Sequence, residues 1–193
     1  CPKRPTGAVR RITLNRAAAR NAMTLGMAAT LTSIVQRLRG DHDVRVVVLQ
    51  GAGTDFTVGA DLKDMSTSLS PSPAARGREV SQLARETSVP LFTGLHELSQ
   101  PIVASVRGHA IGVGAQMLLS ADLVIASETL KLLIPQARLA HSVDHGESYF
   151  LPRKLGLARK MQLLLLAETL EEADAERMGL VNWVVPDADL ESR

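Results

Sequence analysis

Apolar residues along the chain follow two rhythms. Residues 44–49, 102–106 and 123–126 are short, nearly continuous apolar runs, as expected of strands buried on both faces. Residues 9–14, 129–134 and 180–185 read as further strands, the last stopped by Pro186. Between these runs the apolar positions return at helical spacing. Met27, Leu31, Ile34, Val35 and Leu38 share one face, behind an N-capping Thr24 and ahead of Gly40. Val80, Leu83, Leu91, Leu95 and Leu98 continue the pattern over residues 74–99, which Pro90 kinks or divides. Further helices are predicted at 149–155, 157–167 and 171–178, the last closed by Gly179. Strand alternates with helix, so the pattern predicts an α/β fold with parallel pairing.

The stretch PIVASVRGHAIGVGAQMLLSADLVIA, residues 101–126, brings two of these strands and a helix together. Gly108, Gly112 and Gly114 lie where the first strand gives way to the helix. The unpaired N–H groups of residues 111–114 then form the positive end of that helix, where negative charge developing on an oxygen is stabilised. A plain alternative is that the three glycines only permit a tight turn. A second glycine-bounded turn after a strand, VVVLQGAGTDFTVGADLKDM, allows two such donors to meet at one oxygen.

Composition narrows the field. With 193 residues, 45% hydrophobic and 22% charged, the chain is long enough for one domain with a real core. A net charge of +2 with scattered basic residues gives no nucleic-acid surface, although single arginines suit a phosphorylated ligand. Cys1 is the one cysteine, so no internal disulfide is possible, and no metal-ligand spacing accompanies it. The basic start lacks the apolar stretch of a secretory signal, and no segment suits a membrane span, so a cytoplasmic protein is expected. Neither GxGxxG at a strand-to-helix turn nor GxxxxGK[ST] occurs. Residues 66–73, rich in Ser, Thr and Pro, read as an exposed loop or a flap over a site.

Four segments, ITLNRAAARNAM, VVLQGAGTDFTVGADLKDM, PIVASVRGHAIGVGAQMLLSADLVIAS and GLVNWVV, come in the order and spacing of the crotonase superfamily, the enoyl-CoA hydratase/isomerase family. The resemblance covers residues 9–186 and implies an α/β spiral of repeated ββα units with mostly parallel sheets. It implies a core of residues 1–186, with 187–193 beginning a C-terminal helical segment. Coenzyme A is expected as part of an acyl-CoA substrate rather than as a prosthetic group, and no metal is expected. Backbone N–H groups of Ala60 and Val113 would form an oxyanion hole. The CoA moiety would run along Ala18, Ala19 and Arg20 and against Asp61 and Leu62. Homotrimers or homohexamers are implied as well. The family commonly has glycine where Val113 stands; a β-branched residue resists positive φ, so a negative φ is expected there.

Hydratases of this family use two glutamates, and their positions are filled here by Gln116 and Gln136. A glutamine amide binds water but does not trade protons near neutral pH. Asp144, in SVDHGESYFLPRKLG, falls where dienoyl-CoA and epoxyphenylacetyl-CoA isomerases carry a catalytic aspartate. Read by itself, Asp144 serves equally well as a helix N-cap. The resemblance therefore implies double-bond isomerisation with Asp144 as acid and base. Two alternatives stay open: a 2-enoyl-CoA hydratase with water held by Gln116 and Gln136 and activated by Asp144, and a non-catalytic acyl-CoA binder. His141, His145, Glu147 and Ser148 crowd the same turn, but so close a set seldom forms a triad. Glu147 and Ser148 are expected to serve the first turn of a helix, and His145 to orient Asp144. Tyr149 and Phe150 are read as lining the acyl pocket or packing in the core, and Trp183 as core.

Overall fold

The computed structural model describes residues 8–67, 70, 72–143 and 145–192. Asp144 lies outside the described residues, as does part of the Ser/Thr/Pro segment. In chain order the strands are β1 (Val9–Leu14), β2 (Val46–Gly51), β3 (Ile102–Val106), β4 (His109–Ile111), β5 (Leu123–Ser127), β6 (Lys131–Leu133), β7 (Leu170–Glu171) and β8 (Trp183–Val185). Strands β1, β2, β3, β5 and β8 form one sheet in that order, with every pair parallel. Val47 sits opposite Ile102, and Ala104 opposite Val124, and all four are buried in the middle of the core. The second sheet is β4, β6 and β7, parallel across the first pair and antiparallel across the second.

The helices are α1 (Leu25–Leu38), α2 (Leu62–Thr67), α3 (Pro73–Leu83), α4 (Val89–His96), α5 (Val113–Ser120), α6 (Glu147–Leu155), α7 (Leu157–Leu166) and α8 (Glu172–Met178). Thr24 caps α1 as expected, its Oγ1 accepting from the Met27 N–H at 3.1 Å. Helix α5 is buried on every side from Gly114 to Ser120; its residues are apolar apart from Gln116 and Ser120, whose side chains bond to Glu147 and to the Gln116 backbone carbonyl. It is the rod around which the two sheets and α4 and α6 are placed.

Several expectations are refined. Pro90 does not break the helical run at its own position; the chain passes from α3 to α4 through a π-helical turn, Ala84–Ser88, in which the Val89 N–H reaches the Ala84 carbonyl. Proline offers no N–H and crowds the carbonyl four residues back, and one wider turn relieves both. The last strand is shorter than its apolar run, because Leu180 and Val181 bury themselves before it starts. Trp183 is not core: β8 is the sheet edge, and the indole residue is 39% exposed. Tyr149 and Phe150 pack edge-to-face with His96 of α4, with ring centroids 5.8 and 5.1 Å from the imidazole. No helix among the described residues is long and apolar enough to cross a membrane.

Candidate active site

Three loops converge beside the N-terminus of α5, and buried polar side chains hold them. Asn21, after β1, is fully buried and takes a left-handed φ of 56°. Its Nδ2 donates to the Ala52 and Asp55 carbonyls at 2.9 and 2.8 Å, and its Oδ1 accepts from the Arg16 N–H at 2.8 Å. Asp55, 4% exposed, accepts from Arg20 Nε at 2.8 Å and from the His109 backbone N–H at 3.0 Å, with the His109 ring 2.7 Å away. The Arg20 guanidinium above all holds this carboxyl well below the usual carboxylate range; burial opposes it, and His109 assists. The β1 loop, the β2 turn and β4 are thereby locked together.

That lock fixes residues 57–61 alongside β4. The Thr57 N–H reaches the His109 carbonyl at 2.9 Å, and the Ile111 N–H returns to the Thr57 carbonyl at 3.0 Å. Met23 pairs with this strand on its other side, its N–H on the Gly59 carbonyl and its carbonyl receiving the Asp61 N–H, both at 2.8 Å. Ala60 stands between, and its own N–H has no protein acceptor among the described residues. The left-handed step into α5 is taken by Gly112, at φ 52°, whereas Val113 is absent from the residues with positive φ, as its branched side chain requires. Val113 is the first residue of α5, and its N–H likewise has no protein acceptor among the described residues. Gly114 must be glycine, since a Cβ there would lie 2.6 Å from Cγ2 of Thr57.

Ala60 and Val113 both line one cavity of about 320 Å³. Its walls are mostly apolar, from Met23, Leu91 and Phe92 among others, and one end carries Gln136, His141 and His145. The His145 ring packs edge-to-face on Phe92, with centroids 5.2 Å apart.

Beyond that end lies Glu147, which is 0% exposed. Its Oε1 accepts from Gln136 Nε2 at 2.8 Å and also from Gln116 Nε2, and its Oε2 accepts from the His145 backbone N–H at 3.0 Å. This corrects the expectation of a residue that merely serves a helix first turn. Glu147 does stand in the first turn of α6, but on the inward face that it shares with Leu151, one turn on. That i to i+4 spacing to an apolar residue was the available signal. Ser148 is exposed on the other side, so the crowded turn assembles no triad.

Of the positions expected to meet CoA, Leu62 lines the cavity. Ala18 is exposed and Ala19 half-buried on a 3₁₀ turn, Ala17–Ala19, and Leu62 is 64% exposed. Asp61 caps α2, its Oδ1 accepting from the Lys63 and Asp64 N–H groups at 3.1 Å, and it pairs with Arg16 at 2.7 Å. Arg20, expected to reach phosphate, has its guanidinium committed to Asp55, with half of its side chain still exposed.

The enoyl-CoA hydratase/isomerase family model matches residues 4–193. The chain belongs to this family. Its members include relatives of both kinds. A protein named "probable enoyl-CoA hydratase" from Rhodobacter capsulatus is 37% identical over 180 residues, 93% of this chain and 66% of that protein. The 1,2-epoxyphenylacetyl-CoA isomerase of Escherichia coli is 32% identical over 179 residues, 93% of this chain and 67% of that one. Among solved structures, the enoyl-CoA hydratase of Bacillus anthracis superposes with a TM-score of 0.85 at 30% identity, covering 98% of this chain and 71% of its own. The mostly parallel α/β architecture is thus the crotonase fold that the four motifs implied, and the chain spans about two thirds of its curated relatives, 66% and 62% of two of them.

Proposed function

We propose that this chain carries the active site of an enzyme acting on an acyl-CoA thioester, and that its reaction is a double-bond shift with Asp144 as acid and base. One observation carries the reading: two backbone N–H groups without protein acceptors among the described residues, at Ala60 and Val113, border the same apolar cavity. Donors so placed suit an enolate oxygen, which forms when a proton leaves the carbon beside a thioester. A single carboxylate suffices for isomerisation. It removes that proton and returns it two carbons along, so that a 3-enoyl thioester becomes the conjugated 2-enoyl thioester with no atom gained or lost. Glutamines at 116 and 136 suit this reaction better than hydration, because neither amide moves protons.

Incubation with a 3-enoyl-CoA tests the proposal, with the ultraviolet absorbance of the conjugated product as readout. Asp144→Asn is expected to lower kcat by roughly 10² to 10⁴ while acyl-CoA still binds. No shift by the parent protein, with the variant behaving identically, sinks it. Hydration of crotonyl-CoA at an ordinary enzyme rate would select the second reading, which the relatives named as hydratases and the buried Glu147 beside both glutamines favour. Tight binding of thioesters with no turnover would select a binder.

In this reading the CoA passes along Ala18, Ala19, Arg20, Asp61 and Leu62. A homotrimer or homohexamer fits the exposed Leu157, Met161 and Leu165, which follow one another at four-residue spacing along α7. Light scattering that returns a monomer mass would exclude such assembly.

A further inference from the structure

Gln116 and Gln136 both turn their NH₂ groups toward the same oxygen of Glu147, and the His145 N–H occupies the other oxygen. With each NH₂ held there, each amide carbonyl is turned away from Glu147. Both carbonyl oxygens are buried and lack a hydrogen-bond partner among the described residues, in side chains that are 1% and 9% exposed. Buried acceptors without donors are rare. Gln136 lines the cavity, and Gln116 lies one turn after Val113 on the same face of α5. A glutamate at either position would instead set two carboxylates about 3 Å apart, an arrangement in which both cannot ionise.

We propose that Glu147 is a positioning residue that fixes Gln116 and Gln136 as a pair of acceptors for an O–H donor beside the acyl chain, an inference that rests on the acyl-CoA reading above. The donor is either the chain's own hydroxyl group or a water molecule held next to the chain. In both cases Glu147 sets the polarity of the site without touching the ligand. A carbonyl or carboxylate on the ligand finds only lone pairs facing it there.

The test compares 3-hydroxybutyryl-CoA with butyryl-CoA by calorimetric titration of the parent protein and of Glu147→Gln, whose amide no longer forces both neighbours inward. If the chain supplies the hydroxyl, the parent prefers the hydroxy thioester by about ten-fold and the variant loses the preference, a ratio that a general loosening of the pocket leaves in place. If water is the donor, the parent shows no preference but hydrates crotonyl-CoA, and the variant loses about ten-fold or more in kcat at unchanged KM. A preference that survives in the variant overturns the proposal. So does an absence of preference combined with no hydration, or with hydration indifferent to the substitution. Should Glu147→Gln fail to fold, Gln136→Met, which keeps the length and loses the carbonyl, is read in the same way. Failure of the parent to bind either thioester defeats the acyl-CoA reading itself, whereas equal binding without hydration defeats only the acceptor pair.

Discussion

Two buried acidic residues, Asp55 and Glu147, are held by different kinds of partner. Asp55 takes its strongest bonds from a cation, Arg20, and from His109. Glu147 takes the three bonds described here from neutral groups, two side-chain amides and a backbone N–H. The first arrangement cancels charge and ties three loops together, so it is a clasp. The second gathers amide donors from distant segments around one buried side chain, and orients them beside the cavity. Side chains that look equally buried therefore do different work: the Arg20 partner makes Asp55 a clasp, whereas the amides on Glu147 are held in a set orientation.

The largest effect expected from this contrast is at the clasp. Asp55→Ala leaves Arg20 and His109 without their shared acceptor, and urea unfolding should show a loss of about 2–3 kcal/mol; the half-exposed Arg20 keeps the cost below that of a fully buried pair. Glu147→Ala should cost less stability, about 1–2 kcal/mol, because the released amide groups can turn toward one another or toward solvent in the cavity. Equal losses from the two substitutions would break the contrast. Acid sharpens it further. The folded state holds the Asp55 carboxyl below its unfolded value of about 3.9, so this group contributes its stability above that pH and loses it as pH falls toward the folded value. Unfolding midpoints measured from pH 5 downward should fall more steeply for the parent than for Asp55→Asn. At the turn into α5, Gly112→Ala forces a side chain into φ 52° and ψ −109°, outside the left-handed α well, and should cost about 1–3 kcal/mol by thermal melting.

Much of this was legible in the chain. The runs at 44–49, 102–106 and 123–126 became adjacent strands of one parallel sheet, and Thr24 capped α1 where expected. The two glycine-bounded turns allow two donors at one oxygen; in the structure Ala60 and Val113 line one cavity. Other signals misled for identifiable reasons. Trp183 looked like core because it is apolar and sits in a strand, yet an edge strand leaves one flank open. Glu147 looked like a first-turn acid complementing the helix dipole, because that local role explains it fully. Its actual partners lie 31 and 11 residues away, at Gln116 and Gln136.

By itself the sequence determined whatever local sterics and periodicity decide: the alternation of strand and helix, the glycine that takes the left-handed step into α5, and the two amide-bearing turns. Tertiary structure alone decided which charges were buried and against what. The free energy of a buried carboxylate depends on donors brought from distant segments, and nothing in its immediate neighbours reports whether those donors are cations or amides.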